Sequence, residues 1–204
     1  MKKIAALLLV MLVVAVSPAW ADLMPEQLVH QTTDEILTTI KAHRQEYTKD
    51  HAKLYKLAED KVLPYFDFVR MSEWVLGRNW RTATPEQRAR FVPLFRDLLV
   101  RTYSTALLNY TDQKIVYTPL TMHPGDTNVQ VRTEVKQSGG APDIPIYYSF
   151  YKTKDGSWKV YDVSIDGISL VTNYRSVYAS KIKEQGMDAL LASLAADNSK
   201  TPKK

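Results

Sequence analysis

Cysteine is absent from all 204 residues. That excludes disulfides, thiolate metal ligands and thiol nucleophiles together, and it leaves stability to the core, which a chain of this length can bury without staples. Glycine is sparse, at seven residues, and no glycine-rich loop opens a helix, so there is no backbone cradle for a phosphate. Gly139-Gly140 reads instead as a hairpin loop between strands. No serine occupies a G-x-S-x-G turn. The four histidines, His30, His43, His51 and His123, are scattered, and none reads as paired with another ligand at i, i+4, so neither a metal nor any other cofactor is expected. Long hydrophobic runs are missing too. The longest covers residues 4–16, too short to cross about 30 Å of hydrocarbon at 1.5 Å per residue.

That run follows Lys2 and Lys3 and precedes Ala19-Trp20-Ala21, a small-x-small cleavage pattern. Residues 1–21 are therefore expected to be a cleaved signal peptide, with residues 22–204 exported as one soluble domain. No linker or repeat divides them. Taking the two signal lysines from 27 basic residues leaves 25 against 22 acidic ones, a net of +3. So small a surplus leaves no nucleic-acid footprint.

Helical spacing marks residues 23–43, through Leu28, Ile36, Leu37 and Ile40, and residues 53–62, ending ahead of Pro64. Thr84-Pro85-Glu86-Gln87 is a capping box with proline at the first helical position. The long apolar stripe that follows, from Phe91 to Leu107, predicts one helix bent at Pro93. Four strand signals come next, over residues 114–118, 128–136, 144–153 and 158–165. The last two are joined by Asp155-Gly156. Helical spacing returns from residue 168, breaks at Gly186 and resumes, and residues from about 198 onward read as a disordered tail. Helices, then a hairpin-linked sheet, then closing helices describe an α+β domain with helices on one face of a curved antiparallel sheet.

For chemistry, the sequence offers only carboxylates: Asp67, Glu73, Asp162 and Asp166. Asp67 and Glu73 each lie three residues from Arg70, the spacing at which helical charges meet. Asp162 sits mid-strand, as a satisfied core group or as the general base of a cavity, and Asp166 suits a cap or turn. Apolar and aromatic residues are plentiful on every element, and composition leaves both a solid core and a hollow one open.

Residues 63–107 and 157–178, LPYFDFVRMSEWVLGRNWRTATPEQRARFVPLFRDLLVRTYSTAL and SWKVYDVSIDGISLVTNYRSVY, resemble the MlaC family, also described as toluene-tolerance auxiliary components. Pro93 inside the long helix and a short C-terminal tail depart from the pattern. The resemblance implies a periplasmic carrier with a cone similar to nuclear transport factor 2, in which a sheet of about four strands and its helices enclose an apolar cavity. Its cargo would be a diacyl phospholipid. Its partners would be an outer-membrane lipoprotein complex and the MCE-domain subunit of an inner-membrane ABC transporter, and its role would be to maintain outer-membrane asymmetry without being an enzyme. The cavity wall is then expected from Val69, Met71, Val75, Leu76, Phe95, Leu98, Leu99, Ile146, Tyr148, Phe150, Val163, Leu170 and Val171, with Asp67, Arg70 and Glu73 on the solvated outer face. Trp74, Trp80 and Trp158 suit structural anchoring equally well, and Arg132 is a candidate docking charge. A cone-fold enzyme using a cavity aspartate and an interaction module with a solid core are the competing readings.

Overall fold

The computed structural model describes residues 23–110, 113–137 and 139–199. The expected signal peptide lies outside them. Three helices come first: α1 (Pro25–Ala42), α2 (Arg44–Lys49) and α3 (His51–Lys61). A turn of 3-10 helix, Leu63–Tyr65, leads into α4 (Phe68–Leu76), α5 (Arg78–Thr82) and α6 (Pro85–Ser104). The sheet follows, as β1 (Lys114–Thr118), β2 (Asn128–Lys136), β3 (Ile144–Lys152), β4 (Trp158–Ile165) and β5 (Ile168–Ser169), and α7 (Leu170–Gln185) and α8 (Met187–Ser199) close the chain.

The strands form an antiparallel meander in the order β1-β2-β3-β4-β5. It has five strands rather than four, because Ile168 and Ser169, read as helix, pair with Ile165 and Ser164 instead. The cause is the Asp166-Gly167 turn: both residues have positive φ, 51° and 77°, as a type I′ hairpin requires. The expected α6 box is present, with Thr84 Oγ1 accepting from the Gln87 amide at 3.2 Å and Gln87 Oε1 accepting from the Thr84 amide at 3.0 Å. α6 stays helical through Pro93.

α4, α6, α7 and α8 pack against one another, and α4 and α7 also touch β4. The chain preceding α4 is stitched to the sheet where the Asp67 amide donates to the Val160 carbonyl at 2.9 Å. Residues 198 and 199, read as tail, belong to α8: Asn198 is buried, and its side-chain amide donates to the Leu94 carbonyl at 2.8 Å. A smaller apolar cluster of Ile36, Ile40, Tyr47 and Leu54 joins α1, α2 and α3.

Candidate functional site: the apolar interior

Pairing across β2, β3 and β4 puts Val131, Tyr148 and Val163 in one row, Val129, Phe150 and Val160 in the next, and Thr133, Ile146 and Ile165 in a third. Paired residues share a face, so these rows form the inner surface of the sheet. A β-bulge falls between Ser149 and Phe150 in this register. Facing the rows are α6, through Phe91, Phe95 and Leu99, α7, through Leu170, Val171 and Tyr178, and α4, through Met71, Val75 and Leu76, all in one continuous cluster.

Nine of the expected wall residues are members of that cluster: Met71, Val75, Leu76, Phe95, Leu99, Phe150, Val163, Leu170 and Val171. Leu98, Ile146 and Tyr148 pack against it half-buried. Val69 does not. It is 56% exposed, because it stands at the rim of the buried arc of α4 in its first turn, where Phe68 takes the inward position. Phe91, Tyr174, Tyr178, Val131 and Val160 were missed, although the i, i+4 spacing of Phe91 with Phe95 and of Tyr174 with Tyr178 and the alternation along β2 and β4 carried the signal. The aromatics interlock. Phe91 and Phe95 stack at 5.6 Å, and Tyr178 meets both edge-on, at 5.9 and 6.2 Å.

Part of this interior is packed solid. Met71, Phe91, Phe95, Val131 and Phe150 have zero exposure, and a side chain bordering a void wide enough for water would show some. Tyr148 differs: burial pushes its hydroxyl up to about 12, with Tyr117 adding to the shift and a Thr133 hydrogen bond opposing it, yet its side chain keeps accessible surface. A deep ring that still meets solvent borders a crevice. Leu98 and Ile146 are likewise half-buried. Two concavities lie elsewhere, on the surface: one of about 430 Å3 beside Trp74 and Trp80, the other of about 320 Å3 beside Leu120 and Arg132.

The charged residues of α4 also sit differently from expectation. Glu73 is exposed, but Asp67 and Arg70 are half-buried. Asp67 caps α4, accepting from the Arg70 amide at 2.9 Å and from the Tyr151 hydroxyl. The Arg70 guanidinium lies over Tyr151 at 3.9 Å, Trp74 at 5.5 Å and Tyr161 at 5.6 Å. Tyrosines on the outer face of the sheet reach α4 from behind and cover what its own periodicity marks as a wet face.

Asp162 has structural work. It accepts from the Ser169 hydroxyl at 2.6 Å and the Val171 amide at 3.1 Å, so its oxygens are committed to the start of α7. Ser169, not Asp166, is the cap there. His30 does have an i, i+4 partner, Asp34, at 3.0 Å, and stacks on Tyr117 at 4.3 Å. Among the described residues no group of three His, Asp or Glu could hold a metal, and no helix is long and apolar enough to cross a membrane.

The phospholipid-binding protein of Ralstonia solanacearum, solved in complex with a phospholipid, superposes with a TM-score of 0.77 at 33% identity, covering 85% of this chain and 96% of that one. The toluene tolerance protein ttg2D of Pseudomonas putida is 30% identical over 165 residues, 80% of this chain and 75% of its own length. The intermembrane phospholipid transport system binding protein MlaC of Haemophilus influenzae is 29% identical over 178 residues, 86% of this chain and 83% of its own. The model of the MlaC protein family matches residues 30–196, and the chain belongs to that family.

Proposed function

We propose that this chain is a periplasmic phospholipid carrier that takes both acyl chains of a diacyl lipid into the space between the inner face of the sheet and α4, α6 and α7. The observation that carries the reading is the continuous apolar cluster spanning those elements, in a fold shared with a relative solved around a phospholipid. Where the cluster is packed, at Met71, Phe91, Phe95, Val131 and Phe150, lipid entry requires the helices to part from the sheet, starting at the crevice beside Leu98, Ile146 and Tyr148. Met71 suits such repacking, being unbranched and polarizable. Two buried hydroxyls in the interior, Ser72 and Tyr178, have no hydrogen-bond partner.

The energetics need no catalyst. Each acyl methylene removed from water is worth about 0.8 kcal/mol, so a diacyl lipid does not cross an aqueous gap unaided at a useful rate. A bilayer and an apolar interior offer similar gains, so transfer between them is close to thermoneutral. The head group stays in water and keeps the hydration of its phosphate. The exchange partners are an outer-membrane lipoprotein complex and the MCE-domain subunit of an inner-membrane ABC transporter, where ATP is spent. To test the carrier, the purified protein is incubated with phospholipid vesicles, re-isolated and extracted with organic solvent. About one phospholipid per chain is expected, and repeated recovery of none contradicts the reading.

A further inference from the structure

Between Lys61 and Lys114 the chain carries seven arginines and no lysine, whereas the remainder holds seventeen lysines and three arginines. A surface that needs only solubility uses the two alike. Exclusive arginine marks planar, bidentate recognition and stacking, which an ammonium cannot supply. Two members of this set, Arg78 and Arg81, meet Arg175 from α7 at the 430 Å3 surface groove, where Glu73, Trp74, Gly77 and Trp80 complete the lining.

The groove is braced from behind. Arg175 Nε donates to the Trp74 carbonyl at 2.5 Å, at the end of α4. Arg88 donates to the Ala83 carbonyl at 2.9 and 3.1 Å, at the end of α5, and lies over Trp80 at 5.5 Å. Arg78 and Arg81 are exposed, and among the described residues neither has a carboxylate within ion-pair distance. Three guanidinium groups against the single carboxylate of Glu73 leave the groove positive.

We propose that this groove is a docking surface for a carboxylate-bearing segment of a protein partner, with Arg78 and Arg81 gripping its acidic side chains and Trp74 and Trp80 packing on its apolar ones. Arginine and tryptophan together, without lysine, are the composition of protein interface hot spots. Attraction to an anionic lipid surface is served by lysine and arginine alike, so the all-arginine choice favours a protein. One groove is smaller than a stable interface needs, and this suits a contact that must be released. The inference goes beyond the carrier reading and stands whether or not the interior takes lipid.

The test uses the full chain, a dye-labelled glutamate-rich peptide, its glutamine counterpart, and vesicles containing phosphatidylglycerol. Fluorescence anisotropy at low salt should show saturable binding of the glutamate peptide and none of the glutamine one. The Arg78→Lys/Arg81→Lys variant keeps the charge, yet should bind at least about tenfold more weakly, the order of a lost charge-assisted hydrogen bond. Circular dichroism establishes that the variant is folded, and lipid extraction of the same samples reads cargo separately. The inference is overturned if the glutamate peptide does not bind, if the lysine variant binds it as well as the parent, or if vesicles are captured in preference to the peptide.

Discussion

Val69 and Phe150 are both apolar and both fit a cavity wall on sequence grounds, but only Phe150 is buried, at zero exposure against 56% for Val69. Val69→Ser should therefore change the unfolding free energy by no more than about 0.5 kcal/mol and leave lipid content alone. Phe150→Ala should cost about 3–5 kcal/mol in a urea titration. Lipid lost from the Val69 variant would mean that its side chain reaches the cargo after all. Asp162 makes a second contrast. Asp162→Ala removes the acceptor for the Ser169 hydroxyl and the Val171 amide, and thermal unfolding should register a loss of about 1–2 kcal/mol. If the variant instead keeps full stability and loses a hydrolytic or isomerase turnover present in the parent, the enzyme reading returns.

Elements announced by local chemistry are where their residues imply. The Thr84–Gln87 box, the Asp155-Gly156 hairpin and the break at Gly186 each depend on neighbours within four residues, so the chain writes them directly. Facing is a different matter. Arg70 and Asp67 lie opposite the core face of α4, and helical period alone marks them as wet; Tyr151 and Tyr161, more than eighty positions away in the chain, cover them. Whether the interior is hollow was equally illegible, since the same apolar residues line a cavity or fill it. The interlocked tyrosines give α7 and β3 a measurable property. Burial pushes Tyr148 and Tyr174 up to about 12 and Tyr178 higher still, above the ordinary value near 10. A folded-state value raised above the unfolded one means that the stabilisation is fully present below about pH 10 and disappears as pH climbs through the folded values. Urea unfolding should accordingly be level up to roughly pH 9.5 and fall between about pH 10 and 12, and Tyr148→Phe should soften the fall. A decline starting near neutrality would place the cause elsewhere.

For the whole molecule, the carrier proposal requires the inner face of the sheet and the helices above it to be stable enough to hold a fold and loose enough to separate. The packed aromatic cluster of α6 and α7 provides the first property. The half-buried row of Leu98, Ile146 and Tyr148 provides the second. The groove beside Trp74 and Trp80 lies outside the interior, so docking and cargo binding can be altered separately. Substituting Arg78 and Arg81 should leave lipid content unchanged. Native mass spectrometry of the chain, purified without detergent, tests the central claim most directly. A folded species heavier by the mass of one diacyl phospholipid, which disappears on solvent extraction and returns on incubation with vesicles, is the predicted result. A chain that stays at its bare polypeptide mass before and after exposure to phospholipid would contradict it.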